Sequence, residues 1–225
     1  MPLSVIKDLR QAESHLKKNE IIEAEAIYRK ILKKYPKNKA AIREYQKLKV
    51  GPGSKDVLAT ELPHDRVQEL IGLYNLSRFD EVISKITPLM ALFPKSIVLK
   101  NLAAASNAGL KKFDQAIEQF YKILEINPTD ATTHYNIGNI QKEKGDLNAE
   151  IESYEHAIRI KPNYAEAHNN MGSALKLKGD LSSAIKKFED AIKVKYQFPE
   201  SHYNLGVALH ESGKIIEAVQ SYKNA

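Results

Sequence analysis

Residues 134–140 read HYNIGNI, residues 168–174 read HNNMGSA and residues 202–208 read HYNLGVA. His, Asn and Gly thus return every 34 residues with no insertion between copies. A fixed period of about 20–50 residues marks a stacked array of small units rather than a globule around one core. Working outward, further units begin at Pro63, Ile97, Ala131, Ala165 and Pro199, and an earlier one runs from Val5 to the stretch KKYPKNK. The copy from Pro199 is the shortest.

Inside a unit, apolar and small residues fall at helical spacing in two blocks separated by a turn signal. In the unit from 131 the first block carries His134, Ile137, Gly138 and Gln141, then comes Lys144-Gly145-Asp146, then Leu147, Ile151, Tyr154, Ala157 and Ile158. That predicts helix, tight turn, helix. Asn127-Pro128 and Lys161-Pro162 end the second helices, because proline cannot continue the hydrogen-bond ladder and biases the residue before it away from helical geometry.

These marks resemble the tetratricopeptide repeat. The stretches AHNNMGSALKLKGDLSSAIKKFEDAI (167–192), HYNIGNIQKEKGDL (134–147) and SHYNLGVALHESGKIIEAVQSY (201–222) carry the resemblance most fully. Ala116, Phe120 and Pro128 supply the same marks in the unit from Ile97, and Val82, Ile86, Leu89 and Pro94 do so more loosely in the unit from Pro63. The resemblance covers residues 5–38 and 63–225. It implies an all-α fold, an α-solenoid in which helix-turn-helix repeats wind into a right-handed superhelix whose first helices line the concave side. Gly138, Gly172 and Gly206 then mark the closest approach of the two helices, and Ala184, Ala191 and Ala218 answer from the second helix.

The period is broken at residues 39–62. KAAIREYQKLK (39–49) reads as one more amphipathic helix, and VGPGSKD (50–56) as a loop. We expect an N-terminal helical piece at 1–49, a linker at 50–62 and a main array at 63–225. Glu150 stands where a small residue is expected, and a slight helix rotation that frees its carboxylate to solvent is the expectation, since burial without a partner is costly. Tyr196 stands where Pro162 stood one unit earlier. The chain ends at SYKNA (221–225), inside a second helix, without the polar closing helix of natural arrays. That predicts a longer parent protein, or an end covered by a partner or by self-association with a second copy.

Composition narrows the function classes. Cysteine is absent, which excludes disulfides, thiolate metal sites and cysteine nucleophiles and suits a reducing cytoplasm. No signal-peptide core and no membrane-length apolar run is present. The net charge of +6 arises in the first quarter: residues 1–62 hold 14 Lys/Arg against 8 Asp/Glu, and the remainder is balanced at 20 each. A cluster at Arg29, Lys30, Lys33, Lys34 and Lys37 is a candidate anion-binding stripe, although cations near a helix C-terminus are ordinary solvated charges. Nucleic acid is the weaker reading.

No catalytic residues and no cofactor are expected. His134, His168 and His202 sit on successive hairpins, about 8–10 Å apart as packed helices are, too far to share one metal. They occupy the packing position of the repeat. His210-Glu211 lacks the second histidine of a zinc-protease motif, and GPGSK (51–55) lacks the spacing of a phosphate loop. Peptide binding is the favoured reading. The helical phase turns Tyr135, Asn136 and Asn139, then Asn169 and Asn170, then Tyr203 and Asn204 toward the groove. Asn136, Asn170 and Asn204 form a ladder of amides, each with a donor and an acceptor for a peptide backbone. The ladder resembles that of O-GlcNAc transferases, in which such asparagines hold the substrate's backbone; it implies a scaffold or adaptor, or the recruiting arm of a repeat-fronted glycosyltransferase, sulfotransferase or 2-oxoglutarate oxygenase. The family's clamp for C-terminal carboxylates needs groove cations, which Tyr135, Asn139, Asn170, Glu200 and Asn204 do not supply.

Overall fold

A computed structural model describes residues 3–18, 20–50, 62 and 64–225. Every regular element among them is a helix: α1 (Leu3–Lys17), α2 (Ile21–Lys34), α3 (Lys39–Val50), α4 (His64–Asn75), α5 (Phe79–Leu92), α6 (Ile97–Gly109), α7 (Phe113–Leu124), α8 (Ala131–Lys144), α9 (Leu147–Ile160), α10 (Ala165–Leu177), α11 (Leu181–Val194), α12 (Pro199–Glu211) and α13 (Ile215–Lys223). The chain is an all-α solenoid. Of the expected linker, only Val50, the last residue of α3, and Leu62 are described; GPGSK lies outside the described residues. By compactness the chain forms two units, Met1–Leu102 and Ala103–Ala225, with the boundary inside α6.

One turn recurs between the first and second helix of five periods. Ser77, Lys111, Gly145, Gly179 and Gly213 occupy equivalent positions and all have positive φ, from 57° to 87°. The next N–H folds back to the carbonyl five residues earlier, as from Asp146 to Gln141 at 3.0 Å and from Asp180 to Leu175 at 3.0 Å. This left-handed C-terminal cap consumes carbonyls that the helix end leaves open. In two of these turns the following residue caps the second helix: the Asp146 carboxylate accepts from the Ala149 N–H at 3.2 Å, and Asp180 from the Ser183 N–H at 3.0 Å.

In the first unit, α1 and α2 form a hairpin around Val5, Ala12, Ala24, Tyr28 and Ile31, and α3 adds Ala41 to that core. The amphipathic helix read at 39–49 is α3. The α4–α5 hairpin buries Leu70, Val82, Ile86 and Leu89. Within this unit α2 packs against α5, and Arg66 of α4 reaches Glu23 of α2 at 3.4 Å.

In the second unit the hairpins α8–α9, α10–α11 and α12–α13 stack, each second helix packing on the next first helix. Phe120, Ile123, Ile137 and Ile140 fill one joint, and Tyr154, Met171, Leu175, Phe188, Leu205 and Leu209 run through the next two. Full burial of each such side chain contributes about 1.5–3 kcal/mol. Ala184, Ala191 and Ala218 are 0%, 0% and 1% exposed, so the second helices do present small residues at the crossing. Above them, Gly138, Gly172 and Gly206 lie against the rings of Tyr154, Phe188 and Tyr222.

Candidate functional site

The recurring histidines are joint fasteners. His168 Nε2 lies 2.8 Å from the Pro162 carbonyl, and His202 Nε2 lies 2.9 Å from the Tyr196 carbonyl. His134 bonds the Pro128 carbonyl in the same register. One period earlier Lys100 Nζ donates to the Pro94 carbonyl. In each case a first-helix side chain ties down the backbone six residues upstream, in the loop that joins two hairpins. Tyr196 replaces proline without loss, because its backbone oxygen is the acceptor. Burial, and then the neighbouring His156 ring stacked at 5.2 Å, hold His134 below the usual histidine range.

The asparagines do not stand alone. Tyr154 Oη, wholly buried, donates to Asn139 Oδ1 at 2.8 Å, and Asn170 Nδ2 donates to the same oxygen at 3.2 Å and to Tyr135 Oη at 3.2 Å. Asn169 Nδ2 donates to Asn170 Oδ1 at 3.4 Å and to Glu200 Oε1 at 3.1 Å. Ser201 Oγ and Asn204 Nδ2 then donate to Asn169 Oδ1 at 2.9 and 3.0 Å. One hydrogen-bond chain therefore crosses from α9 through α8 and α10 to α12. The Tyr135 ring lies between those of Tyr154 and Tyr164, with centroids at 5.7 and 5.0 Å, and Lys161 Nζ sits 4.4 Å from the Tyr164 centroid.

The structure sorts the expected groove residues into three kinds. Tyr135, Asn136, Asn139, Asn170 and Asn204 are half-buried, and Tyr203 is 57% exposed. Asn169 differs from its expectation: it is 1% exposed, sunk between α10 and α12, with its amide used between helices. The Asn136 side chain makes no hydrogen bond among the described residues and keeps its whole amide, whereas both side-chain N–H groups of Asn170 are occupied.

Glu150 is a correction. It was expected to turn to solvent, yet it is 3% exposed. Ser153, Tyr154 and Ala157 lie on the same helical face and are buried, which locks the phase of α9. Burial pushes the Glu150 carboxyl above its usual range, and the charge of Lys142 offsets this only in part.

The basic cluster is less uniform than its sequence. The Arg29 guanidinium is engaged by Glu25 at 2.8 Å and by Tyr45 Oη at 2.9 Å, and Lys30 lies 3.9 Å from Asp8. Lys33, Lys34 and Lys37 are exposed. A cavity of about 200 Å³ between α2, α4 and α5, unforeseen from the sequence, is floored by Ile22, Leu70 and Leu89. Its rim charges pair with one another, Arg66 with Glu69 at 3.0 Å and Lys85 with Glu69 at 2.7 Å. Among the described residues no group of three or more His, Asp or Glu is arranged to hold a metal, and no helix is long and apolar enough to cross a membrane.

Stacked helical hairpins of one length, joined by the same left-handed turn and the same loop fastener, define a helical-repeat protein. Family models agree: one described as TPR repeat matches residues 138–179 and 172–213, and one described as tetratricopeptide repeat matches residues 8–38. The chain carries tetratricopeptide repeats, matched over residues 8–38 and 138–213. Among solved structures it is similar to MamA (TM-score 0.63, 22% identity, covering 69% of this chain and 91% of that one). It is also similar to YrrB, described as a TPR protein with an unusual peptide-binding site (TM-score 0.57, 15% identity, 70% and 81%). A third is PilF of Pseudomonas aeruginosa (TM-score 0.63, 15% identity, 71% and 73%). At these identities the likeness is one of fold. No curated protein matches the chain in sequence. As a repeat protein of this family, the chain is a protein-interaction module.

Proposed function

We propose that the second unit binds an extended polypeptide along the face made by α8, α10 and α12. The observation that carries this reading is the row of half-exposed amides and phenols, Tyr135, Asn136, Asn139, Asn170 and Asn204, with Tyr203 at its end. Neutral amides offer donor and acceptor together and so suit a peptide backbone of any sequence. The hydrogen-bond chain fixes the rotamers of Tyr135, Asn139, Asn170 and Asn204 before a partner arrives, which lowers the ordering cost of binding. YrrB, whose fold this chain shares, is described as having a peptide-binding site.

The test is a peptide-display selection on the full chain, followed by fluorescence anisotropy with a selected peptide. Asn136→Ala with Asn204→Ala is expected to weaken binding about tenfold, since each lost hydrogen bond is worth roughly 0.5–1.5 kcal/mol. Unchanged affinity would remove the amides from the account. The same groove serves a cytoplasmic adaptor or the substrate-recruiting arm of a larger enzyme; the length of the encoding reading frame separates the two. Ile216 and Val219, 86% and 47% exposed on α13, are the residues through which two copies would pair, and sedimentation of the full chain tests that pairing.

A further inference from the structure

The charges along the proposed groove are largely settled among themselves. Glu166 pairs with Lys195 at 3.4 Å, and Lys176 with Glu211 at 3.4 Å. Glu200 is not settled in this way: it is exposed and forms no ion pair among the described residues. Its position is nonetheless fixed, because Oε1 accepts from Asn169 Nδ2 at 3.1 Å, and Asn169 is 1% exposed and held on its other side by Ser201 and Asn204.

Glu200, Tyr203 and Asn204 are spaced i, i+3, i+4 on α12 and share one face of that helix. Asn204 directs an N–H to Asn169, which leaves its carbonyl oxygen as an acceptor. The Tyr203 ring is exposed and backed by Tyr222 at a centroid distance of 5.9 Å. Val207, one turn on and half-buried, offers an apolar bed. A carboxylate, an amide oxygen and the negative face of a phenol ring share this face, and among the described residues no cation is paired with the carboxylate.

The geometry points to a site for a cationic side chain, arginine above lysine, carried by the bound polypeptide. A planar guanidinium bonds the carboxylate and amide oxygens through its edge while its face lies on Tyr203, and its alkyl stem covers Val207. The site gives the groove a fixed register: backbone contacts at Asn136 hold any extended chain, and Glu200 selects where along it a basic residue sits. This rests on the polypeptide-binding reading of the same face.

The test titrates N-acetyl-arginine methylamide, and its neutral isostere N-acetyl-citrulline methylamide, into the isotopically labelled full chain, with backbone amide shifts as readout. The arginine probe is expected to shift residues 200–207 saturably, and to bind roughly tenfold more tightly than citrulline, the combined effect of an exposed ion pair and a cation–π contact. Glu200→Gln keeps an oxygen for Asn169 and therefore the fold, and should abolish the preference. Equal shifts from both probes, a preference that survives Glu200→Gln, or no shift at these residues would overturn the proposal. If a display-selected peptide still depends on Asn136 while the arginine probe leaves Glu200 untouched, only the cation site falls; loss of both removes the groove.

Discussion

Gly172→Ala is the substitution whose outcome the packing states most directly. A methyl group on Gly172 would lie 2.7 Å from Phe188 Cε1 and 2.9 Å from Cδ1, against about 3.5–4.0 Å for carbons in ordinary contact. Phe188 is 0% exposed and shares a cluster with Tyr154, Leu175 and Leu205, so the ring has nowhere to go. The hairpin must open, and overpacking of this kind costs about 1–3 kcal/mol. Alanine recovers about 1 kcal/mol of helix propensity. With two ring atoms inside 3.0 Å the upper part of the range applies, and the net loss is about 1–2 kcal/mol. Gly206→Ala looks worse on distance alone, 2.5 Å from Tyr222 Cε1. Tyr222, however, is 38% exposed on α13 and can swing outward, so that variant should lie within about 0.5 kcal/mol of the parent. Gly72→Ala, with nothing within 4 Å, should gain about 0.5–1 kcal/mol. Urea unfolding followed by circular dichroism ranks the three, and hydrogen exchange assigns the loss to α10–α11, because repeats open locally. A cost that simply followed distance, with Gly206→Ala the most damaging, would refute the reasoning.

Further outcomes follow from single observations. Lys111 has φ 58° where three equivalent positions hold glycine; left-handed geometry costs a side chain about 1–2 kcal/mol, so Lys111→Gly should raise the urea midpoint and Gly179→Ala should lower it. Asn170→Ala deprives Tyr135 of a donor and Asn139 of one of its two and should cost about 1 kcal/mol, whereas Asn136→Ala should leave the thermal midpoint unmoved; equal effects would contradict the hydrogen-bond chain. Glu150 is held above its usual carboxylate range, foremost by burial. Its stabilising, protonated form is fully present below the ordinary value of 4.5 and is lost as pH rises through the raised one. Glu150→Gln should therefore be more stable than the parent at neutral pH, with the gap closing toward pH 4.5; a gap that widened on acidification would reverse the assignment.

The period, the turns and the helix ends were readable because each rests on short-range chemistry. Gly145, Gly179 and Gly213 mark a left-handed turn, Asp146 and Asp180 cap the helix after it, and the prolines end the helix before. The work of the histidines was not readable, since their acceptors are backbone carbonyls with no letter in the sequence. Lys100 reaches the same acceptor with different chemistry, so residue identity alone hides the equivalence. Asn169 and Asn170 are neighbours about 100° apart around α10, and helical phase assigned both to the open face. The closeness of α12, whose Ser201 is 0% exposed against Asn169, draws one inward and leaves the other outside. Glu150 failed for the opposite reason. One polar residue was expected to turn a helix, but the buried Ser153, Tyr154 and Ala157 on its own face outweigh it.

The hydrogen-bond chain also changes what the amide ladder can offer. An isolated asparagine presents one acceptor and two N–H donors, but Asn170 has given both donors to α8, and Asn204 has given one to Asn169. Only Asn136 keeps the full set. At the α12 end what remains toward a partner includes the Asn204 amide oxygen, the free oxygen of Glu200 and the ring face of Tyr203. The α12 end of the wall therefore favours a partner group with N–H donors and positive charge. It disfavours an acidic segment there, whose carboxylates would meet Glu200. The bonds that stiffen the face therefore also set its preference, through the unshared oxygens they leave behind.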